Sequence, residues 1–522
     1  MIFMRARFPA EVVRFQAPAV FEKLARNTPG LRAPFPVRYP DLAERVLQGL
    51  PKYGVRTPLR PLVYFDSTAT TFPFDVVRKT RDRADGLGNT HSEGQGPAIR
   101  AGAVFRRAHD EVLRLVGGNP ETHAVVLLGS GATEAFNRVA RTLFPARLGR
   151  TADRRDMVIL DEHAHHANML PFGRDARRTR MIPVSETTGE LDVDRLAWEL
   201  NAHRGSVRTV SFTGVNNITG VVNPIDYITE LAHAAGADAT MDAAQMVAHR
   251  PINMVEMGVD RLCLSAHKMY APGGPGVLVA PLSDFGGMPD TLGGGIVDAV
   301  LGPKRFWLSE RVQDRQEAGT PNIPGAAVLA TAAMALGAIG LQAIAAHERA
   351  LTIKLLQGLA EIPGVKIYAE TDLSITDRVG VVSFNIDGMP HGIVGRALFD
   401  LFAVADRDGC GCAHRHVMRL LGMNAADRQV FIRMIESGDK SKQPGMVRLS
   451  LGAYNNDADV ECALRTVRYI ATHRDRLFAD YIVMRDGTAV RRDGWNPVGR
   501  AGAAGILPTV SPDGDLVFAE LA

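Results

Sequence analysis

Cysteine is scarce. Four cysteines in 522 residues do not make a disulfide framework. Cys410 and Cys412, separated only by Gly411, suit reactive thiols better than a structural bridge. A reducing, cytoplasmic compartment is the expectation. Long apolar runs are missing too: no stretch of 18 or more apolar residues occurs, so no spanning helix is indicated. Neither sign of charge dominates. A net charge of +3 gives no strong pull toward nucleic acid or an anionic membrane. The first residues, Met1 to Phe8, lack a sustained apolar core and a following small-residue cleavage site. They carry arginine and are weakly amphipathic, and they read as a helical extension.

What is present is an ordinary globular balance, 46% hydrophobic and 22% charged. The length allows more than one domain. Residues 1–61 are dense in Arg and Pro, with a short amphipathic stretch at 41–50, and are expected to be an N-terminal extension. From Leu62 strands and helices alternate. The pattern gives strands at 62–66, 124–128, 157–160, 207–212 and 238–242, and helices at 133–143 and 227–235. That alternation predicts an α/β domain with a mostly parallel sheet over 62–330. A long Ala-rich helix is expected over 326–346. Strands at 380–386 and 446–451 belong to a smaller α+β C-terminal domain, 331–475. Residues 476–522 read as a polar tail.

Candidate chemistry centres on 262–279: an apolar strand, a turn holding Lys268, a Gly/Pro-rich loop and another apolar strand. A lysine between core segments, partly desolvated, has a depressed pKa and becomes a nucleophilic amine. Such an amine condenses with aldehydes, pyridoxal phosphate above all. The bland alternative is a solvated loop lysine. A phosphate wants backbone N–H groups at a helix N-terminus. The strand–turn–helix at Gly129-Ser130-Gly131-Ala132-Thr133 supplies them. A pyridine nitrogen wants a carboxylate, and Asp242 ends a strand just upstream, with Gln245 a turn later; an isolated Asp there is more often a helix N-cap. His163, His165 and His166 follow a strand end, where open α/β sheets bind ligands. They suit ring stacking, with a metal site as second choice. Asn217 also follows a strand end. It is either a ligand for cofactor or substrate, or a turn residue.

Taken together, these segments resemble the fold type I pyridoxal-phosphate enzymes of the class V aminotransferase group, and within it the cysteine desulfurase and selenocysteine lyase branch. The matching pieces are Tyr64-Phe65-Asp66-Ser67-Thr68-Ala69, Gly131-Ala132-Thr133-Glu134-Ala135, His165-His166-Ala167-Asn168, Asn217 to Pro224, Asp242-Ala243-Ala244-Gln245 and Ser265-Ala266-His267-Lys268. Gly293-Gly294-Gly295 and Glu317-Ala318-Gly319-Thr320-Pro321-Asn322 extend the likeness, which runs from about Tyr64 to Ile470.

The resemblance implies roles. Lys268 binds the cofactor aldehyde and moves the substrate proton, Asp242 pairs with the ring nitrogen, and Gln245 contacts the phenolic oxygen. His165 stacks on the ring and assists catalysis. Ala132, Thr133, Ser265 and His267 hold the phosphate. Thr320 reaches the phosphate of a neighbouring subunit, which implies a homodimer. Arg448, with Arg407 and Asn217, binds the substrate; a bidentate fork suits its carboxylate. Cys412 takes sulfur, or selenium, from L-cysteine or a similar amino acid, leaving alanine and a persulfide that a sulfur-acceptor protein can collect.

Three alternatives stand beside this reading. The thiols can be inert and buried, in an aminotransferase, epimerase or C–S lyase of the same group. Cys410, Cys412, His414 and His416 fall at alternate positions and are candidate zinc ligands, although their spacing is tighter than zinc sites use. A non-catalytic protein on this fold is the third. Two departures from the family pattern also occur. Ala164 replaces the acidic residue before the histidine pair, and 424–444 looks like an insertion. The Cys-Gly-Cys segment and the approach to Arg448 are similar to the desulfurase-like domain of molybdenum cofactor sulfurases.

Overall fold

The apolar runs of the first half pair into one sheet in the computed structural model. It describes residues 60–90, 96–145 and 155–494, and strand residues 56–57, 509–510 and 516–517. The expected helix at 41–50 lies outside the described residues. The sheet strands are β1 (His123–Leu128), β2 (Met157–Asp161), β3 (Arg178–Ile182), β4 (Val207–Thr213), β5 (Asp238–Asp242), β6 (Arg261–Ser265) and β7 (Gly276–Pro281). Their spatial order is β1-β7-β6-β5-β4-β2-β3. Strands β2 to β6 run parallel, and β7 is antiparallel to its neighbours β1 and β6.

Period-2 alternation divides each strand between two cores. Val125, Leu127, Met157 and Ile159 face one side. Val126, Leu128, Val158 and Leu160 face the other. A sheet buried on both faces must be covered twice. Helices α1 (Asp75–Ala84) and α2 (Gly96–Leu115) contribute to the first side, and α3 (Gly131–Leu143) and α4 (His166–Asp175) to the second. Helices α5 (Val193–Ala202) and α6 (Ile225–Ala234) complete the first side.

The Ala-rich stretch is two helices rather than the single one expected over 326–346. Helix α7 (Ile323–Ile339) and α8 (Leu341–Ala360) meet at 75°. Gly340 is the break: its φ of 89° lies where no helix residue sits. Among the described residues no single helix is long and apolar enough to cross a membrane.

The second unit is an antiparallel sheet of β8 (Val365–Ile367), β9 (Val381–Ile386), β10 (Arg407–Gly409) and β11 (Met446–Ser450), ordered β8-β9-β11-β10. Helices α8, α9 (His391–Phe402) and α12 (Asp457–Thr472) pack on it around Phe384, Leu398, Leu449 and Val467. The strand read at 62–66 pairs here: Val63–Tyr64 runs parallel to Val404–Ala405, and Phe65 is buried in this core. Helix α10 (His414–Leu420) follows the cysteines. Helix α11 (Ala425–Glu436) occupies the 424–444 stretch, starts with a capping box between Asn424 and Asp427, and buries no residue. The first part of the expected tail, from residue 476 to 491, instead folds as most of helix α13 (Arg474–Asp480) and a hairpin of Tyr481–Val483 with Ala489–Arg491. Leu477, Tyr481 and Ala489 anchor them in the second core.

Candidate active site

The C-terminal ends of β2, β4, β5 and β6 place Asp161, Thr213, Asp242 and Ser265 along one edge, where parallel sheets open for ligands. A cavity of about 380 Å³ lies there. The large sheet contributes Ala132, Thr133, His165, Asn217, Asp242, Gln245, Ser265, His267 and Lys268; the second unit adds Arg407, Gly411, Cys412 and Arg448. Every residue to which the family resemblance gives a role, except Thr320, lines this one cavity; His163, His166, Cys410, His414 and His416 do not. Thr320 is exposed on the loop before α7.

Lys268 ends a tight turn after β6 that is fastened from outside. The hydroxyls of Thr70 and Thr71 donate to the His267 carbonyl at 3.2 and 3.1 Å, and the Tyr270 N–H donates to Thr71 Oγ1 at 2.7 Å. Tyr270 itself is in the left-handed region, with φ 63°, and its ring stacks on Phe74 at 4.1 Å. Burial lowers the Lys268 amine to about 8, and Arg448 pushes the same way, while Asp242, Cys412 and Asp66 resist. Asp242 is the counterpart. Burial raises its carboxyl to about 6 against the pull of the Ala244 N–H, at 3.0 Å, and of Lys268. A carboxylate held that high is short of a cationic partner, which a protonated pyridine nitrogen supplies.

His165 caps α4: its Nδ1 accepts the Ala167 N–H at 3.1 Å, which leaves the ring proton on Nε2. Burial first, then Lys268, lowers His165 to about 4, and His267 is lowered to about 4 by the same two causes. Both are neutral near pH 7. At the start of α3, Gly131 has φ 60° and the Ala132 N–H donates to Ser265 Oγ at 2.7 Å. A Cβ on Gly276 would stand 2.1 Å from the Gly131 oxygen, so β7 passes directly under this turn. The helix start and the Ser265 hydroxyl are thereby brought together as an anion cradle.

Four buried polar atoms on residues that line the cavity have no hydrogen-bond partner: Thr68 Oγ1, Thr213 Oγ1, Gln245 Oε1 and Arg448 Nε. Gln245 spends its Nε2 on the Thr68 carbonyl at 2.8 Å. Unpaired buried polar atoms are costly, and a ring bearing polar substituents answers them. The residues present therefore fit pyridoxal phosphate: an amine, a partner-seeking carboxylate, a phosphate cradle and orphaned polar groups surround one space.

Arg448 is 4% exposed; it donates to the Asn217 carbonyl at 2.8 Å and to Asp66 Oδ1 at 3.2 Å. Arg407 stands opposite it in the β10–β11 register. The two cysteines part company. Cys410 is buried, its thiol donates to the Pro444 carbonyl at 3.0 Å, and burial pushes it up to about 12. Cys412 is exposed and lines the cavity. The alternative zinc ligands are dispersed: His414 stacks on His166 at 4.9 Å, while His416 is buried against His163 at 5.6 Å. Among the described residues no group of three or more His, Cys, Asp or Glu side chains is placed to hold a metal ion.

The sequence assigns no role to Asp66, Thr68 or Thr213, although the first two lie in a segment that carries the family likeness. Thr213 had a usable signal, since it ends β4 as Asp242 ends β5. Thr68 and Asp66 lie in a turn whose partner, the second unit's β11, is about 380 residues downstream, as the Thr68 N–H to Ser450 Oγ bond at 3.0 Å shows (|i−j| 382).

Comparison with known proteins gives the same direction. The family model described as aminotransferase class-V matches residues 63–462. "Probable cysteine desulfurase 1" of Mycobacterium leprae is 32% identical over 420 residues, covering 79% of this chain and 62% of that protein. "Probable cysteine desulfurase 2" of the same organism is 32% identical over 391 residues, covering 73% of this chain and 87% of that protein. The chain thus spans less than two thirds of the first of these relatives. A cysteine desulfurase structure from Thermococcus onnurineus superposes with a TM-score of 0.68 at 26% identity, covering 81% of this chain and all of that one. One from Escherichia coli shares the fold, with a TM-score of 0.65 at 24% identity over 80% of this chain and 95% of that one. With the fold, the cavity and a family match over most of its length, the chain belongs to the class V aminotransferase family of pyridoxal-phosphate-dependent enzymes.

Proposed function

We propose that the chain is a cysteine desulfurase, taking sulfur from L-cysteine, or selenium from its selenium analogue, and leaving alanine. One observation carries this reading: of the two neighbouring thiols, the exposed one, Cys412, lines the same cavity as Lys268, Asp242 and Arg448. The relatives named above carry cysteine desulfurase in their names, which supports it.

When bound, pyridoxal phosphate supplies an electron-withdrawing ring that acidifies the Cα proton of an attached amino acid. Lys268 is the amine that holds the cofactor carbonyl. Asp242 keeps the ring nitrogen protonated. Ala132, Thr133, Ser265 and His267 hold the phosphate, Gln245 the phenolic oxygen, and His165 the ring face. The buried guanidinium of Arg448 takes the substrate carboxylate, and Arg407 stands beside it. With a pKa near 8, the released Lys268 amine is partly unprotonated near neutral pH and moves the proton at Cα. His165, neutral with its proton on Nε2, donates a hydrogen bond rather than accepting a proton. The Cys412 thiolate attacks the substrate sulfur. An S–S bond forms, the Cβ–S bond breaks, and Cβ takes a proton. Cysteine plus the Cys412 thiol become alanine plus the Cys412 persulfide.

The proposal extends to assembly and location. Val300, Leu301 and Trp307, on a hairpin of Val297–Gly302 with Arg305–Leu308, are exposed apolar residues on the segment preceding Thr320. A second copy would cover them and receive Thr320. An exposed Cys412 leaves its persulfide open to a sulfur-acceptor protein. Four free cysteines suit a reducing cytoplasm. The division into a large unit over 62–330 and a small one over 331–475 remains part of this reading.

The test is to incubate the cofactor-loaded protein with L-cysteine and excess dithiothreitol, which reduces the persulfide to thiol and sulfide, and assay sulfide and alanine. Equal yields, abolished by Lys268→Ala and by Cys412→Ala, are expected. Turnover that survives Cys412→Ala would make the protein a transaminase or epimerase with a bystander thiol.

A further inference from the structure

Arg448, Asn217, Gly411 and Cys412 form one connected line across the cavity. Arg448 Nη1 donates to the carbonyl oxygen of Asn217 at 2.8 Å, and Asn217 Nδ2 donates to the carbonyl oxygen of Gly411 at 2.7 Å. Gly411 and Cys412 both have positive φ, 51° and 58°. For a residue with a Cβ the left-handed region costs about 1–2 kcal/mol, so the conformation of Cys412 is held from outside. A turn bond from the Ala413 N–H to the Cys410 carbonyl at 2.9 Å and two contacts from the large sheet hold it. Asn217 grips the carbonyl before it, and the His166 N–H donates to its own carbonyl at 2.9 Å.

The fit leaves no slack. A Cβ on Gly411 would lie 2.7 Å from Ile218 Cδ1 and 3.3 Å from Arg448 Nη1. Asn217 sits in a stiff turn, because Asn216 Oδ1 accepts the N–H groups of Ile218 and Thr219 at 2.8 and 2.9 Å. One donor of the Asn217 amide is therefore engaged by the cysteine loop, while the residue still lines the cavity.

We propose that Asn217 is a positioning residue that couples the carboxylate clamp at Arg448 to the aim of the Cys412 thiol. A substrate carboxylate arriving at Arg448 competes with the Asp66 and Asn217 contacts. Because Asn217 grips Gly411, that arrival is felt at the residue preceding the sulfur acceptor. The functional consequence rests on the desulfurase reading; the contact itself does not.

The experiment uses the cofactor-loaded protein with Asn217→Ala and with the isosteric Asn217→Asp, which sets a carboxylate against the Gly411 carbonyl. Three quantities are compared with wild type: exchange of the alanine Cα proton in D2O, persulfide formed on Cys412 in one turnover with cysteine, and alkylation of Cys412 by iodoacetamide without substrate, located by mass spectrometry. Proton exchange needs Lys268 and Arg448 but no thiol. It is expected to fall by at least about tenfold less than persulfide formation does, with the cofactor absorbance unchanged. Persulfide formation is expected to fall about 10- to 100-fold, the scale of a misplaced reacting atom. Alkylation is expected to change by about threefold or more. Exchange and persulfide formation falling together, or a shifted absorbance, would return Asn217 to the cofactor or substrate and overturn the proposal. Unchanged alkylation would overturn it as well. If wild type forms no persulfide, the desulfurase reading fails by itself, and the alkylation arm still decides the contact. Should Asn217→Ala not fold, Asn217→Asp, which keeps the side-chain volume, is expected to give the same split.

Discussion

Asp242 and Lys268 restrain each other. Each is driven toward its neutral form by burial, and each pulls the other back toward charge, leaving the carboxyl near 6 and the amine near 8. Without a cofactor the pair is poised, not satisfied. That sets the behaviour of the empty cavity and gives the first two predictions.

In cofactor-free protein, Asp242→Asn is expected to raise thermal stability at pH 7.5. The folded-state pKa of Asp242 lies above its unfolded value of 3.8. Its favourable contribution is therefore complete below about pH 4 and lost as pH rises through about 6. At pH 7.5 the wild type carries the cost of a buried carboxylate, and the amide still accepts the Ala244 N–H. The gain is about 1–3 kcal/mol at pH 7.5 and shrinks as pH falls to 4. Melting curves of both proteins at pH 4, 6 and 7.5 check this. With cofactor bound the order reverses, because a neutral amide does not balance the charge of a protonated ring.

Lys268 in cofactor-free protein is expected to label with acetic anhydride at half-maximal rate near pH 8, below the usual lysine value of 10.5. Asp242→Asn removes an anion that favours the charged amine, so the midpoint moves lower still. Peptide mass spectrometry across pH 6 to 11 measures both. A midpoint that matches the exposed lysines would contradict the burial assigned to this amine.

Cys410→Ala is expected to keep sulfide release, with a stability loss of about 1 kcal/mol from the vacated thiol contact. Cys412→Ala is expected to abolish release. Iodoacetamide at pH 7.5 reaches Cys412 first, since Cys410 is buried and lies near 12. The site of the first modification, read by mass spectrometry, tests the assignment directly.

Arg448→Lys is expected to raise KM for cysteine about 10- to 100-fold with a smaller fall in kcat. It removes a planar fork and leaves Asp66, 3.2 Å from the guanidinium, poorly paired. Asp66→Asn keeps the shape but frees the guanidinium, and is expected to cost stability more than affinity. Steady-state kinetics with unfolding curves separate the two.

The sequence by itself determined what depends on local pattern. Apolar runs marked six of the seven strands of the large sheet; β3, at the edge and exposed over Arg178–Arg180, has no such run, and the residues at the strand ends, among them Asp242 and Lys268, were legible because a strand end is a local event. Composition likewise excluded a disulfide scaffold. Tertiary structure decided what depends on distant segments meeting. Cys410 and Cys412 are two residues apart with the same chemistry, yet one turns to Pro444 and the other to the cavity, because Gly411 and Cys412 take left-handed φ values under a grip from Asn217. The break at Gly340 escaped notice because the Ala-rich pattern runs on both sides of it, and only packing chose the bend. Thr68 came to the cavity through strand pairing with residues near 404 and 450, a contact that no sequence window contains.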